Sequence, residues 1–362
     1  MWLCLSMAAL GCNGDDGPIA LPPRGGLDGG SGSNTGPGDG GIGTPVDAGG
    51  TGLPDAGGGG GLPDGGFVSA DAGSDPSVLS QQGVYGDFAS RSIPADAIAY
   101  DVRWPLWADG AGKRRWLILP PGGAKIDNAD QDHWKLPIGA RLVKEFARDG
   151  ILVETRVVER TGPNAADYSL RTFVWNAAQT EAKLTTDGAT NVNGTGHDVP
   201  QASDCWTCHE GEPGMALGFS ALQLPAATLA ALANAGRLTH PVSTTLGPTG
   251  ATAAVNALGY LHGNCGHCHN PGGFAAQFNN QTLRLDTASK PADQEPGWQT
   301  TVGVAVQGRG LGATQRVAPG SPDNSAIIRR MSIRGDGQMP FIGTNTVDAT
   351  GVAAVRTWIT SM

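Results

Sequence analysis

Two pentapeptides constrain this chain more than anything else in it: Cys205-Trp206-Thr207-Cys208-His209 and Cys265-Gly266-His267-Cys268-His269. Both read C-x-x-C-H, the pattern through which a c-type haem is attached. Two intervening residues put both sulfurs on one side of a single turn, where they can form thioethers with the vinyl groups of one ring. The adjoining histidine then points beneath that ring as an iron ligand. A fold that carries both motifs has to provide two slots of tetrapyrrole size, and four of the six cysteines go to them. A Cys4 zinc ribbon would set its two C-x-x-C pairs about 15–20 residues apart, whereas 56 residues separate Cys208 from Cys265. A disulfide framework or a thioredoxin-like pair does not need a histidine directly after both motifs. Two covalently bound haem c groups are therefore the expectation, with zinc and disulfides as the alternatives.

The net charge of −9 suggests an acidic surface until it is located. Residues 13–75 hold nine Asp and one Arg, and the remainder is almost neutral. No basic patch points to nucleic acid, and no interior stretch is long and apolar enough to span a bilayer. The same segment carries 23 Gly and seven Pro. It has too little apolar surface to offset its ordering entropy, so a disordered linker is expected over 13–75. Residues 1–12 are apolar and end in Ala9-Leu10-Gly11-Cys12, which reads as a lipoprotein signal with Cys12 as the lipidated residue. Ala at the third position before the cysteine and the lack of a basic n-region depart from that pattern. A lipid anchor on the periplasmic or cell-surface side of a bacterial membrane follows from this reading.

Residues 76–200 change to short alternating runs rich in β-branched and aromatic residues. Strands are expected over 113–119, 140–146, 151–158 and 169–175. Ile151, Val153, Thr155 and Val157 fall on one face and Glu154 and Arg156 on the other, as in a half-solvated antiparallel strand. An antiparallel sandwich-like domain is the corresponding fold. Its tryptophans read mainly as core, and His133 and His197 as surface or loop residues.

Beyond residue 200 the composition turns Ala-rich. Residues 201–250 form a first haem-binding segment, with a helix pair over 221–235 broken at Pro225. In residues 251–362 a helix leads into Cys265, and Met339-Pro340 precede a last helix near 348–360. This order of parts resembles a class I cytochrome c, so a multidomain α+β chain is expected, with a mainly α-helical haem region after the β-rich domain. Met339 is then the expected second axial ligand of the haem at His269, because a soft thioether favours Fe(II). Tyr260 should pack on the last helix near Trp358. For the haem at His209, His240 is the first candidate for the distal position. Met215, His262, Met331, His267 or an open position are the others.

Several further stretches carry a family likeness: residues 105–116, 134–139 and 143–146, both motifs with their neighbours, Pro319-Gly-Ser-Pro322 and Met339-Pro340. Together they resemble a group of exported dihaem c-type cytochromes over roughly residues 84–362. The resemblance implies haem binding and electron transfer by Cys205, Cys208, His209, Cys265, Cys268, His269 and Met339. It implies exchange with redox partner proteins of an electron-transport chain and names none. The competing class is a haem enzyme with an open first iron, peroxidase-like or oxidising a small substrate. No Ser/His/Asp constellation, phosphate loop or placed carboxylate pair points to other catalysis.

Overall fold

The structure is a computed structural model that describes residues 75–362 apart from Pro213 and Thr244. The signal segment with Cys12, and the linker up to residue 74, lie outside the described residues.

Six strands form one antiparallel sheet in which each pairs with the next: β1 (Ile98–Ala99), β2 (Gly112–Ile118), β3 (Arg141–Arg148), β4 (Ile151–Arg160), β5 (Tyr168–Trp175) and β6 (Ala182–Thr185). β-Branched and aromatic side chains at period two make this pattern stable, because each pleat then has an apolar side to bury. The expected sandwich does not form. Both faces of the single sheet are covered by irregular chain and short helices instead of a second sheet. On one face Trp116, Val143, Val157 and Phe173 pack with Leu79 and Val84 from the segment before β1. On the other, Leu117, Leu142 and Val158 pack with Trp134, Met215, Phe219 and Leu224. β4 is accordingly not half-solvated: Glu154 and Thr155 are as buried as Val153 and Val157. The register shift between Phe146 and Ala147 also breaks the simple alternation near its start.

The expected mainly helical, class I cytochrome c-like region is overturned as well. Of the described residues 24% are helical and 20% are in strands. After residue 201 the helices are short and separated by long loops: α1 (Ala202–His209), α2 (Ala226–Asn234), α3 (Thr252–Asn264), α4 (Pro296–Gln299), α5 (Ala326–Met331) and α6 (Ala349–Thr360). The reason is compositional. Gly or Pro occupies fourteen of the positions 265–325, and each costs about 1–3 kcal/mol in a helix interior. The expected helix pair around Pro225 is a single helix, with Pro225 at its N-cap and turns before it.

α3 and α6 pack against each other through Ala254, Ala257, Leu258 and Leu261 on one side and Val355, Trp358 and Ile359 on the other. Asp348 caps α6 by accepting the Gly351 N–H at 2.9 Å, which satisfies one of the unpaired amides of its first turn. The Tyr260 ring lies over Gly351, where any Cβ would overlap the ring. Tyr260 thus packs on the last helix two turns before Trp358 on the same face, within the same cluster. No helix among the described residues is long and apolar enough to cross a membrane.

Candidate functional site

The first motif occupies the second half of α1, so Cys205, Cys208 and His209 follow helical spacing. At eight residues α1 is too short to be stable alone, and it is held against the charged part of the sheet's second face. The second motif begins where α3 ends. Cys265 is the C-cap residue, and the N–H of His269 donates to the Cys265 carbonyl at 2.8 Å, closing one more turn. All four cysteines are free thiols.

The two motifs meet. The ligand atoms of Cys208, His267 and Cys268 all lie within 4.8 Å of one another, and the Cys268 thiol donates to the Thr207 carbonyl at 3.5 Å. Two fasteners hold them together. Asn270 Nδ2 donates to the carbonyls of Gly211, Gly266 and His267 at 3.0, 2.8 and 3.0 Å, which joins the chain after the first motif to the turn of the second. Gly211 itself has room only for hydrogen, since a Cβ there would run into the His267 carbonyl and Gly273. Glu212 and Arg284 form a bidentate pair with both bonds at 2.8 Å, each side chain 13% exposed. Arg284 also donates to the Asp132 carbonyl at 3.1 Å. A planar fork on a carboxylate fixes geometry as well as energy.

The His209 ring is aimed by the backbone. Its Nδ1 lies 2.7 Å from the Met215 carbonyl, and Met215 is buried with φ +56°. An Nδ1–H donated to a carbonyl sets the tautomer and leaves Nε2 as the free lone pair, the usual preparation of a metal-ligating histidine. Burial, and after it the charge of Lys144, pushes His209 down to about 3. Burial likewise takes His269 to about 4, so both rings are neutral. His269 Nδ1 is buried with no hydrogen-bond partner among the described residues. Burial pushes the Cys265 thiol up to about 12, whereas the contacts with Cys268 and His267 hold Cys208 below the ordinary thiol value. Two free thiols per motif, an adjoining neutral histidine and a preset Nε2 at His209 fit a covalently attached haem.

The sheet contributes charge. Glu154 is fully buried, accepts both Arg156 bonds at 2.7 Å and lies 2.9 Å from His197 Nε2. Burial would push its carboxyl up, but Arg156 and His197 outweigh burial and hold it below the usual range. His197 does lie in a loop, but it is buried and paired, which corrects its reading as a surface residue. Lys144 donates to the Leu217 carbonyl at 2.9 Å. Burial, and then Arg115 and Arg156, brings it down to about 7.

Other expected residues lie as follows. Met339 and Cys265 line one cleft, together with Met331, Tyr260, Trp107 and Arg334. The loop beyond Met339 is tied to the β1–β2 connection: the buried Asp109 carboxylate accepts Thr344 Oγ1 at 2.6 Å, the Asn345 N–H at 2.8 Å, and both the N–H and Oγ1 of Thr346 at 3.0 Å. Trp107 joins the same connection to α3, its N–H donating to Asn264 Oδ1 at 2.7 Å. His240 is exposed, with Nδ1 3.0 Å from Thr239 Oγ1 and its backbone held by Asn128. It is outside the Cys208–His267–Cys268 group. His262 Nδ1 accepts the Leu285 N–H at 3.1 Å. That bond puts its proton on Nε2 and leaves it a structural histidine. His133 pairs at the surface with Asp130 at 2.8 Å.

Sequence reasoning missed Asp109, Asn270 and the Glu212–Arg284 pair. Only the placement of Asn270 directly after the second motif could have flagged one of them. The chain matches no family model, no curated protein and no solved structure.

Proposed function

We propose that this chain is a dihaem c-type electron-transfer protein. Cys205 and Cys208 would hold one haem by thioethers with His209 as axial ligand. Cys265 and Cys268 would hold the second, with His269 and Met339 supplying its iron ligands. Each haem supplies a one-electron Fe(III)/Fe(II) couple when bound. The chain's own part is to fix the ligands, exclude water and keep the two sites in contact. The observation that carries the reading is the meeting of Cys208 and Cys268 across the two motifs, with their sulfurs within 4.8 Å. Rings attached through those sulfurs would be held close together, which is what electron exchange between them requires. The Met215 carbonyl on His209 Nδ1 is the supporting detail.

Outward electron exchange would be with redox proteins at a membrane surface, the chain being tethered through Cys12. Full-length protein matured in a host with haem-attachment machinery tests the reading. A pyridine haemochrome assay should return two covalent haems per chain, and none would refute it. A second reading has its own observation: Cys208, His267 and Cys268 also present two sulfurs and a nitrogen suited to a thiophilic cation such as zinc. Metal analysis of the same preparation discriminates, since stoichiometric zinc without haem would select it.

A further inference from the structure

The sheet beneath α1 carries a charge pattern that covalent attachment does not use. Arg115, Lys144 and Arg156 are register partners on β2, β3 and β4, so they leave one face of the sheet directly opposite one another. Lys113 stands two residues before Arg115 on the same face. Like charges in such positions repel. The nearest carboxylate along this face, Glu154, is already shared between Arg156 and His197.

The row is oriented with respect to the first motif. The charge of Arg156 is felt at Cys205 and Cys208, and that of Lys144 at Cys208 and His209. Arg115 stands two strands from Arg156, roughly 10 Å at the usual strand spacing. That span is comparable to the width of a porphyrin from its thioether edge to its carboxylate edge. The Arg115 side chain is only 9% exposed, yet its guanidinium makes no hydrogen bond among the described residues. Its one ion pair, to Asp101, is 4.0 Å long, and the Asp101 side chain is 87% exposed. None of its nitrogens is among the buried atoms that lack a partner, so the fork of five N–H donors reaches solvent and has no protein acceptor of its own among the described residues.

We propose that Arg115, with Lys144 beside it, receives a propionate carboxylate of the tetrapyrrole attached at Cys205 and Cys208. This rests on the haem reading above. A carboxylate held in the fork supplies the missing acceptor, relieves the repulsion along the row and fixes how the ring sits over the sheet. It also screens the negative charge of the propionate from the iron. Loss of the guanidinium leaves that charge uncompensated, favours Fe(III) and lowers the midpoint potential of one haem only.

The test is spectroelectrochemical titration of the full chain, matured with both haems, against Arg115→Gln and Arg115→Lys. With haem content still at two per chain, Arg115→Gln should lower one of the two midpoint potentials and leave the other in place. Arg115→Lys should restore most of the shift. Two unmoved midpoints in Arg115→Gln at full haem content would overturn the proposal. Should that variant fail to mature, Lys144→Gln is read in the same way, with the same result overturning it. No covalent haem in the unaltered chain would overturn the underlying reading and this one with it, a result distinct from unmoved midpoints.

Discussion

Asp109→Ala is the perturbation whose consequences follow most directly from the structure. The carboxylate is buried and accepts four hydrogen bonds from Thr344, Asn345 and Thr346, more than two hundred residues away in sequence. Bonds to an ionised acceptor contribute about 1.5–3 kcal/mol each, and neighbouring ones are not additive. The two hydroxyls can turn to water once the carboxylate is gone, whereas the direction of the two amides is fixed by the backbone. The Thr346 carbonyl keeps its bonds from Trp107 Nε1 at 3.0 Å and Arg334 at 2.6 Å. Two amide bonds at the low end therefore set the loss at about 3 kcal/mol, confined to the loop that follows Met339. Local opening should rise on the order of 100-fold at about 1.4 kcal/mol per decade. Hydrogen exchange followed by mass spectrometry reads it: the Asn345 and Thr346 amides should exchange faster by that factor, and those of β3 and β4 should not change. Unchanged exchange at the two loop amides in folded Asp109→Ala would refute the reasoning. Burial would raise this carboxyl, but its hydrogen bonds outweigh burial and hold it below the ordinary 3.8. The latch is therefore at full strength above that value and is lost as pH falls beneath it.

Three other outcomes are expected. Gly211→Ala should destabilise the protein by about 1–3 kcal/mol, because its methyl must push the His267 carbonyl and Gly273 away; a lowered Tm with the motifs' thiols more accessible to alkylation checks it. Glu212→Gln leaves the Arg284 charge buried and half-paired, a loss of about 3–5 kcal/mol by urea unfolding, and Glu212→Met with Arg284→Met should recover most of it. Glu295 is buried with neither carboxylate oxygen hydrogen-bonded, and burial raises it to about 7 against the opposing charge of Lys290. Its folded pKa exceeds the unfolded one, so its contribution is fully present below about 4.5 and is lost as pH rises through 7. Glu295→Gln should flatten the stability–pH curve in that window, measured by urea midpoints.

The strands were legible because alternation is a local property. β2 to β5 fall within a residue or two of the runs read from the sequence. What covers their faces was not legible, since Glu154 and Arg156 look like a solvated face until the loop carrying His197 folds against Glu154. The helical expectation failed for a related reason. An Ala-rich window such as 226–234 does form a helix, but the order of motifs says nothing about the Gly and Pro content between them. The two motifs themselves were visible as C-x-x-C-H. Their meeting across 56 intervening residues was not, because it depends on Asn270 and on a backbone contact at Gly211.

These contacts also explain why the sheet belongs to the site. α1 cannot hold Cys205 and Cys208 in attachment geometry by its own stability. It is fixed from below by the Arg156 and Lys144 face, from its C-terminal end by the Met215 carbonyl on His209, and laterally by the second motif. The second motif in turn relies on the β1–β2 connection through Trp107 and Asn264. A change in the sheet should therefore be felt at both motifs, whereas a change in α6 should be felt at the second alone. On the proposed dihaem reading, comparing the two haem signals in Thr155→Ala and Val355→Ala separates the cases. Thr155 accepts from Trp175 Nε1 at 3.0 Å on the far face of the sheet, and Val355 packs only within the α3–α6 cluster. A perturbation at Thr155 that reached neither motif would mean that the sheet is a scaffold in contact with the site but not coupled to it.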